Sequence, residues 1–206
     1  MKRALIWLLF ALGGIGVGAY SALAMSGLLP GDRRTGGPIE INGWHGDFAM
    51  GSEDASPYFR ARIARHGLLA LANTEAVYFT RLLDDSGQPF SEECTYRLSG
   101  GAMPADWWSV TLYNSDNFLP DNSDNALSFD ASRAGDGADG AGDGAWSAII
   151  SPNKPAAETG WISSKAGGTF DLTFRLYVPG DGVLDRPEDL IEAPSVERLS
   201  CTGEAQ

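Results

Sequence analysis

The chain has 206 residues and a formal charge of −12, one domain's length plus an N-terminal segment, and its acidity argues against nucleic acid as a partner. Two histidines, His45 and His66, and two cysteines, Cys94 and Cys201, leave little material for zinc sites or a histidine-based triad.

After Lys2 and Arg3, the stretch from Ala4 to Met25 carries no charge, and its only hydroxyl side chains are Tyr20 and Ser21. At about 1.5 Å per residue it reaches about 33 Å, enough to cross a hydrocarbon core of about 30 Å. Residues 1–25 therefore read as a transmembrane anchor, with the lipid bilayer as partner. The competing reading is a signal peptide cleaved after Ala22-Leu23-Ala24. The apolar run exceeds the usual signal core of about 7–15 residues, which favours the anchor. Arg33 and Arg34 oppose Lys2 and Arg3, so charge bias decides little. Either way the remainder is exported: single-pass with a periplasmic C-terminal domain, or secreted or periplasmic after cleavage. Gly14 and Gly18 form a G-x-x-x-G pair, which permits helix dimerisation without requiring it.

Residues 26–38, rich in Gly, Pro and Arg, read as a linker, and 39–206 as the domain. An initial strand is expected around Ile41–Trp44. Ser56-Pro57 then opens a helix over Pro57–Ala72, with Ser as N-cap and Pro at the first helical position. Phe59, Ile63 and Gly67 share one side of it, while Arg60, Arg62 and Arg65 make a basic, solvated face.

From Glu75 the pattern is that of strands. Ala76–Leu83 ends at the turn cluster Asp84-Asp85-Ser86-Gly87, and Thr95–Ser99 follows. In Trp107–Tyr113, Trp108, Val110 and Leu112 share one face; Trp107, Ser109, Thr111 and Tyr113 share the other. Trp146, Ala148 and Ile150 alternate too. Last, Phe170, Leu172, Phe174, Leu176 and Val178 point inward, against Asp171, Thr173, Arg175 and Tyr177 outward. Short alternating strands between Gly/Pro/Asn/Asp loops argue for a mainly β fold, an antiparallel sandwich or barrel.

Between Asn114 and Ala145 stands a long polar insertion containing Gly135-Asp136-Gly137-Ala138-Asp139-Gly140-Ala141-Gly142-Asp143-Gly144. Acids among glycines invite calcium, but Asp136, Asp139 and Asp143 match neither an EF-hand nor a nonapeptide β-helix repeat. A mobile loop with no metal is expected there, and no cofactor is expected anywhere.

Catalytic motifs are missing. There is no Gly-x-Ser-x-Gly elbow, His-Glu-x-x-His helix, Cys-x-x-Cys pair or nucleotide-binding glycine loop. Paired carboxylates for glycan hydrolysis are unspecific among so many acids. The more pointed set is aromatic. Trp107, Tyr113 and Tyr177 lie on outward strand faces with Arg175, which suits stacking of a sugar or apolar ligand beside a held anion. Ordinary packing is the bland reading of the same rings. Arg60 and Glu75 complete the ligand-binding set, or pair with each other structurally. In an exported protein Cys94 and Cys201 read first as a disulfide.

Several of these segments fall in the order of a known family: Ser56-Pro57-Tyr58-Phe59-Arg60-Ala61-Arg62-Ile63-Ala64-Arg65-His66-Gly67-Leu68-Leu69-Ala70-Leu71, Glu75-Ala76-Val77-Tyr78-Phe79, Tyr96-Arg97-Leu98-Ser99-Gly100, Pro104-Ala105-Asp106-Trp107-Trp108-Ser109, Thr111-Leu112-Tyr113 and Phe174-Arg175-Leu176-Tyr177-Val178-Pro179. Over residues 44–201 the chain resembles the bacterial domain of unknown function 1214 in its short, membrane-anchored form. The resemblance implies a jelly-roll-like β-sandwich in the cell envelope, with one short soluble helix, and no settled activity or catalytic residues. Two stretches depart from the family's pattern. Asn122-Ser123-Asp124-Asn125-Ala126-Leu127-Ser128 stands where an arginine is usual, and Gly160-Trp161-Ile162-Ser163 where Asn-Trp-Leu-Pro is usual. The functional expectation is an envelope domain that binds an apolar or glycan ligand or a partner protein; the alternative is a carboxylate-dependent hydrolase.

Overall fold

The computed structural model describes residues 2–27, 29, 37–53, 55–65, 70–134, 144–156 and 160–202. Contacts group Met1–Thr35 with Glu53–Ala70 in one unit, and Gly36–Ser52 with Leu71–Gln206 in a second.

The first unit holds the apolar helix α1 (Lys2–Met25), none of whose side chains is buried, and α2 (Pro57–Arg65). Helix α1 stops where Gly27 takes the left-handed conformation (φ +68°), its N–H on the Ala24 carbonyl, while Ser26 Oγ donates to the Ala22 carbonyl. At the start of α2, Ser56 Oγ accepts from the Phe59 N–H at 3.2 Å, the expected N-cap. The helix does not run to Ala72. The Leu71 N–H donates to the Tyr78 hydroxyl and the Ala72 N–H to the Glu75 carboxylate, so side chains near β3 claim donors that a helix would use. Residues 66–69 lie outside the described part.

The second unit is built from β1 (Ile39–Ile41), β2 (Trp44–Gly46), β3 (Ala76–Arg81), β4 (Phe90–Ser91), β5 (Cys94–Gly100), β6 (Ala105–Asn114), β7 (Ser128–Asp130), β8 (Trp146–Ser151), β9 (Gly160–Ser163), β10 (Thr169–Pro179) and β11 (Ser195–Cys201), with short helices α3 (Ala131–Ala134) and α4 (Pro187–Leu190). The larger sheet runs β1-β2-β3-β10-β6-β7 with β4 also on β10; the smaller runs β11-β5-β8-β9. Every pairing is antiparallel except β8 with β9. The two sheets share one core. Trp108 of β6 stacks on Trp146 of β8 with centroids 4.2 Å apart, and Tyr96 of β5 meets Phe90 and Phe170 edge-on. At one side the sheets are tied together, the Ser163 N–H donating to the Ala126 carbonyl at 2.6 Å. The strand order gives a two-sheet sandwich without establishing jelly-roll winding.

Four expectations need correcting. The strand expected at Ile41–Trp44 is a hairpin, because Asn42-Gly43 (φ +50° and +77°) makes the tight turn between β1 and β2. The polar insertion contains β7, whose Phe129 is 1% exposed and belongs to the core; its stretch 135–143, where the calcium question arose, lies outside the described residues. Val178 is not inward: it is 52% exposed at φ +49°, where the β10–β6 pairing skips a position. The outward face of β10 is not solvated either, since Asp171, Thr173 and Arg175 are all buried.

Cys94 and Cys201 form the expected disulfide. They sit opposite each other at the end of the β5–β11 ladder, with Cα atoms 3.9 Å apart.

Candidate functional site

Strand register gathers four of the proposed ligand residues on one face of the larger sheet. Strand β10 lies between β3 and β6, with Tyr177 opposite Trp107, Arg175 opposite Ser109 and Tyr78, and Asp171 opposite Tyr113. Their side chains therefore share a surface. The Trp107 and Tyr177 rings meet edge-to-face at 5.2 Å, with Trp107 38% exposed at the open end. Arg175 lies inward of them and is 9% exposed. One of its terminal nitrogens donates to Thr111 Oγ1 at 3.0 Å, the other to the Tyr113 hydroxyl at 2.8 Å. Its guanidinium also lies 5.8 Å from the Tyr78 ring centroid and 5.5 Å from that of Tyr113.

Among the described residues no carboxylate pairs with Arg175. Asp171, four residues back along β10, is about 13 Å away by strand rise. Among the described residues this buried cation thus rests on neutral hydroxyls and ring faces.

Arg60 belongs to the first unit and Glu75 to the second. Arg60 donates to the Ala55 and Glu53 carbonyls within the first unit. Glu75 accepts from the Ala72 N–H in the second, where its carbonyl also accepts the Val178 N–H at 2.8 Å.

A second polar cluster escaped sequence reasoning, which saw Asp84-Asp85-Ser86-Gly87 only as a turn. Asp84 is buried; its Oδ1 accepts from Ser86 N–H and Oγ and from Gln88 N–H, and its Oδ2 from Arg198 Nε at 2.6 Å. Arg81, also buried, donates to Asp85 at 2.7 Å and to the Leu83 carbonyl. Burial works to raise the Asp84 pKa, but the Ser86, Gln88 and Arg198 interactions outweigh it and hold the carboxyl below its ordinary value. The nearby Tyr96 phenol moves up, chiefly through burial, against the opposing pull of the Ser91 N–H and Arg198. The acid-rich turn after an Arg-ended strand was the available signal.

The family model described as "Protein of unknown function (DUF1214)" matches residues 75–181, from the start of β3 to just past β10. The chain belongs to this family. No curated protein matches it. Among solved structures it is similar to the VPA0106 protein from Vibrio parahaemolyticus, at 23% identity and TM-score 0.54 over 71% of this chain. It spans only 36% of that protein, so the likeness is one of fold. An uncharacterized protein from Burkholderia cenocepacia follows at 15% identity and TM-score 0.44, covering 61% of this chain and 30% of that one.

The matched segment contains the whole Arg175 cluster. It also contains the two stretches that depart from the family's pattern, and these touch: Ser163 Oγ donates to Asp124 Oδ2 at 2.7 Å.

Proposed function

We propose that this protein is a membrane-tethered, exported binding domain of the cell envelope. Its ligand is an amphipathic anion whose apolar or sugar body lies on Trp107 and Tyr177 and whose charged group meets Arg175. The observation that carries this reading is Arg175 itself, a buried guanidinium held by Thr111 and Tyr113 with no carboxylate partner among the described residues. Two residues of strand separate Arg175 from Tyr177, so the anionic group would sit about 7 Å from the ring pair. The conspicuous carboxylates are committed elsewhere: Asp84 to Arg198, Asp85 to Arg81, and Asp130 to Ser132 and Arg133. That favours binding over carboxylate-driven hydrolysis. The 24-residue helix α1, uncharged from Ala4 to Met25, supports a retained anchor.

Two experiments test the reading. A phosphatase reporter fused after Gln206 should be active, with an N-terminus that retains Met1–Met25; a silent phosphatase overturns the export. Purified full chain in nanodiscs should bind laurate or glucuronate more tightly than dodecanol or glucose. The two anions distinguish an apolar from a glycan body, and equal binding of anion and neutral partner removes the role given to Arg175.

A further inference from the structure

Away from the Arg175 face, a cavity of about 450 Å³ opens between the β1–β2 hairpin and the turn after β3. Glu40, His45, Arg81, Leu83 and Asp85 help to line it. That volume suits a small organic ligand.

The buried charges at this cavity are already satisfied. Arg81 is spent on Asp85 and on the Leu83 and Pro194 carbonyls, and Asp84 on Arg198, Ser86 and Gln88. What remains is acceptor capacity. Glu40 and His45 are cross-strand partners on the hairpin, so their side chains share one face about 5 Å apart. Glu40 Oε1 accepts the Gly43 N–H at 3.2 Å, and its second oxygen has no hydrogen bond among the described residues. Asp85 uses Oδ1 for both Arg81 and the Val196 N–H, which leaves Oδ2. The half-buried His45 ring adds a lone pair in its neutral form. Leu83, 46% exposed, supplies an apolar wall.

The complement of such a site is a donor-rich cation on an aliphatic stem. Among the described residues no three His, Cys, Asp or Glu side chains are grouped to hold a metal ion, so the cation is organic. The chain's −12 charge would draw cations toward it.

We propose that this cavity binds a primary alkylammonium group, its nitrogen between the cross-strand pair Glu40 and His45 and its carbon chain along Leu83. The test is calorimetry of the full chain in nanodiscs with 1,5-diaminopentane, with 1,5-pentanediol as the neutral control. The diamine should bind saturably and the diol should not. Glu40→Gln should weaken the diamine by about tenfold, and Glu40 is exposed on an edge hairpin, so the variant should fold. His45→Gln should weaken it less. Equal binding of diol and diamine, an unchanged affinity in Glu40→Gln, or no saturable binding of the diamine would each overturn the assignment.

Discussion

Arg198 Nε donates to Asp84 Oδ2 at 2.6 Å, tying the last strand to the turn after β3 across 114 positions of sequence. The Asp84 side chain is fully buried and that of Arg198 is 23% exposed. Replacing Arg198 by Met should leave a buried carboxylate short of its cation and cost about 3 kcal/mol in urea unfolding. The pH dependence follows from the depressed Asp84 pKa. Its stabilising contribution is present above the unfolded carboxyl value of about 4 and is lost as pH falls through the lower folded value. The acid limb of stability against pH should therefore be shallower in Arg198→Met. An identical limb would contradict the assignment.

Tyr96 sets the opposite limit. Its folded pKa is raised, so the native state keeps the phenol proton when the unfolded chain has lost it. The contribution is complete below the unfolded value of about 10 and is lost as pH rises toward the folded one. Tyr96→Phe should flatten that alkaline loss. At neutral pH it should cost about 1 kcal/mol, because the Ser91 N–H loses its acceptor.

The disulfide closes a loop over a sequence separation of 107. Chain-entropy reasoning gives it about 4–5 kcal/mol. Cys94→Ser with Cys201→Ser should lower the urea midpoint by a corresponding amount, and a dithiol reductant should reproduce the shift in the unaltered protein. An unshifted midpoint would mean that Arg198–Asp84 and the β5–β11 ladder alone hold the C-terminal strand.

Gly160 marks where the two sheets close. A Cβ there would lie 2.3 Å from the Phe129 ring, and Phe129 is wedged beside Trp108 and Trp146. Gly160→Ala should cost about 1–3 kcal/mol by overpacking. Gly87→Ala meets no neighbour within 4 Å but carries a backbone penalty at φ +79°. Thermal unfolding of the two variants separates steric from conformational cost.

The longer strands were legible from alternation and from β-forming composition. Strands β6, β8 and β10 stand where period-two patterns put them, and β3 and β5 stand where β-forming residues around a turn cluster put them. What escaped was short or tertiary. Strand β7 is three residues inside a polar stretch, and only the core's need for Phe129 identifies it. Strand β9 pairs in parallel with β8, which no hairpin signal announces. The non-helical course at Leu71 and Ala72 goes with bonds to the Tyr78 and Glu75 side chains, which periodicity within the helix cannot announce. The Asn42-Gly43 turn was readable and was overlooked in favour of the apolar residues flanking it. At the site, parity placed Trp107, Arg175 and Tyr177 outward, but only register put them side by side. Burial of Arg175 was invisible, because alternation says nothing about what covers the outer face.

The measurement that bears most directly on the binding proposal is the affinity of the full chain for laurate and glucuronate, before and after Arg175→Gln. The substitution removes the buried charge and two charge-assisted hydrogen bonds to Thr111 and Tyr113. It should weaken the bound anion at least about tenfold, with Arg175→Lys retaining part of the affinity. The neutral controls dodecanol and glucose should be unaffected. Unchanged anion affinity in a folded Arg175→Gln protein, shown by an unaltered urea transition, would contradict the account.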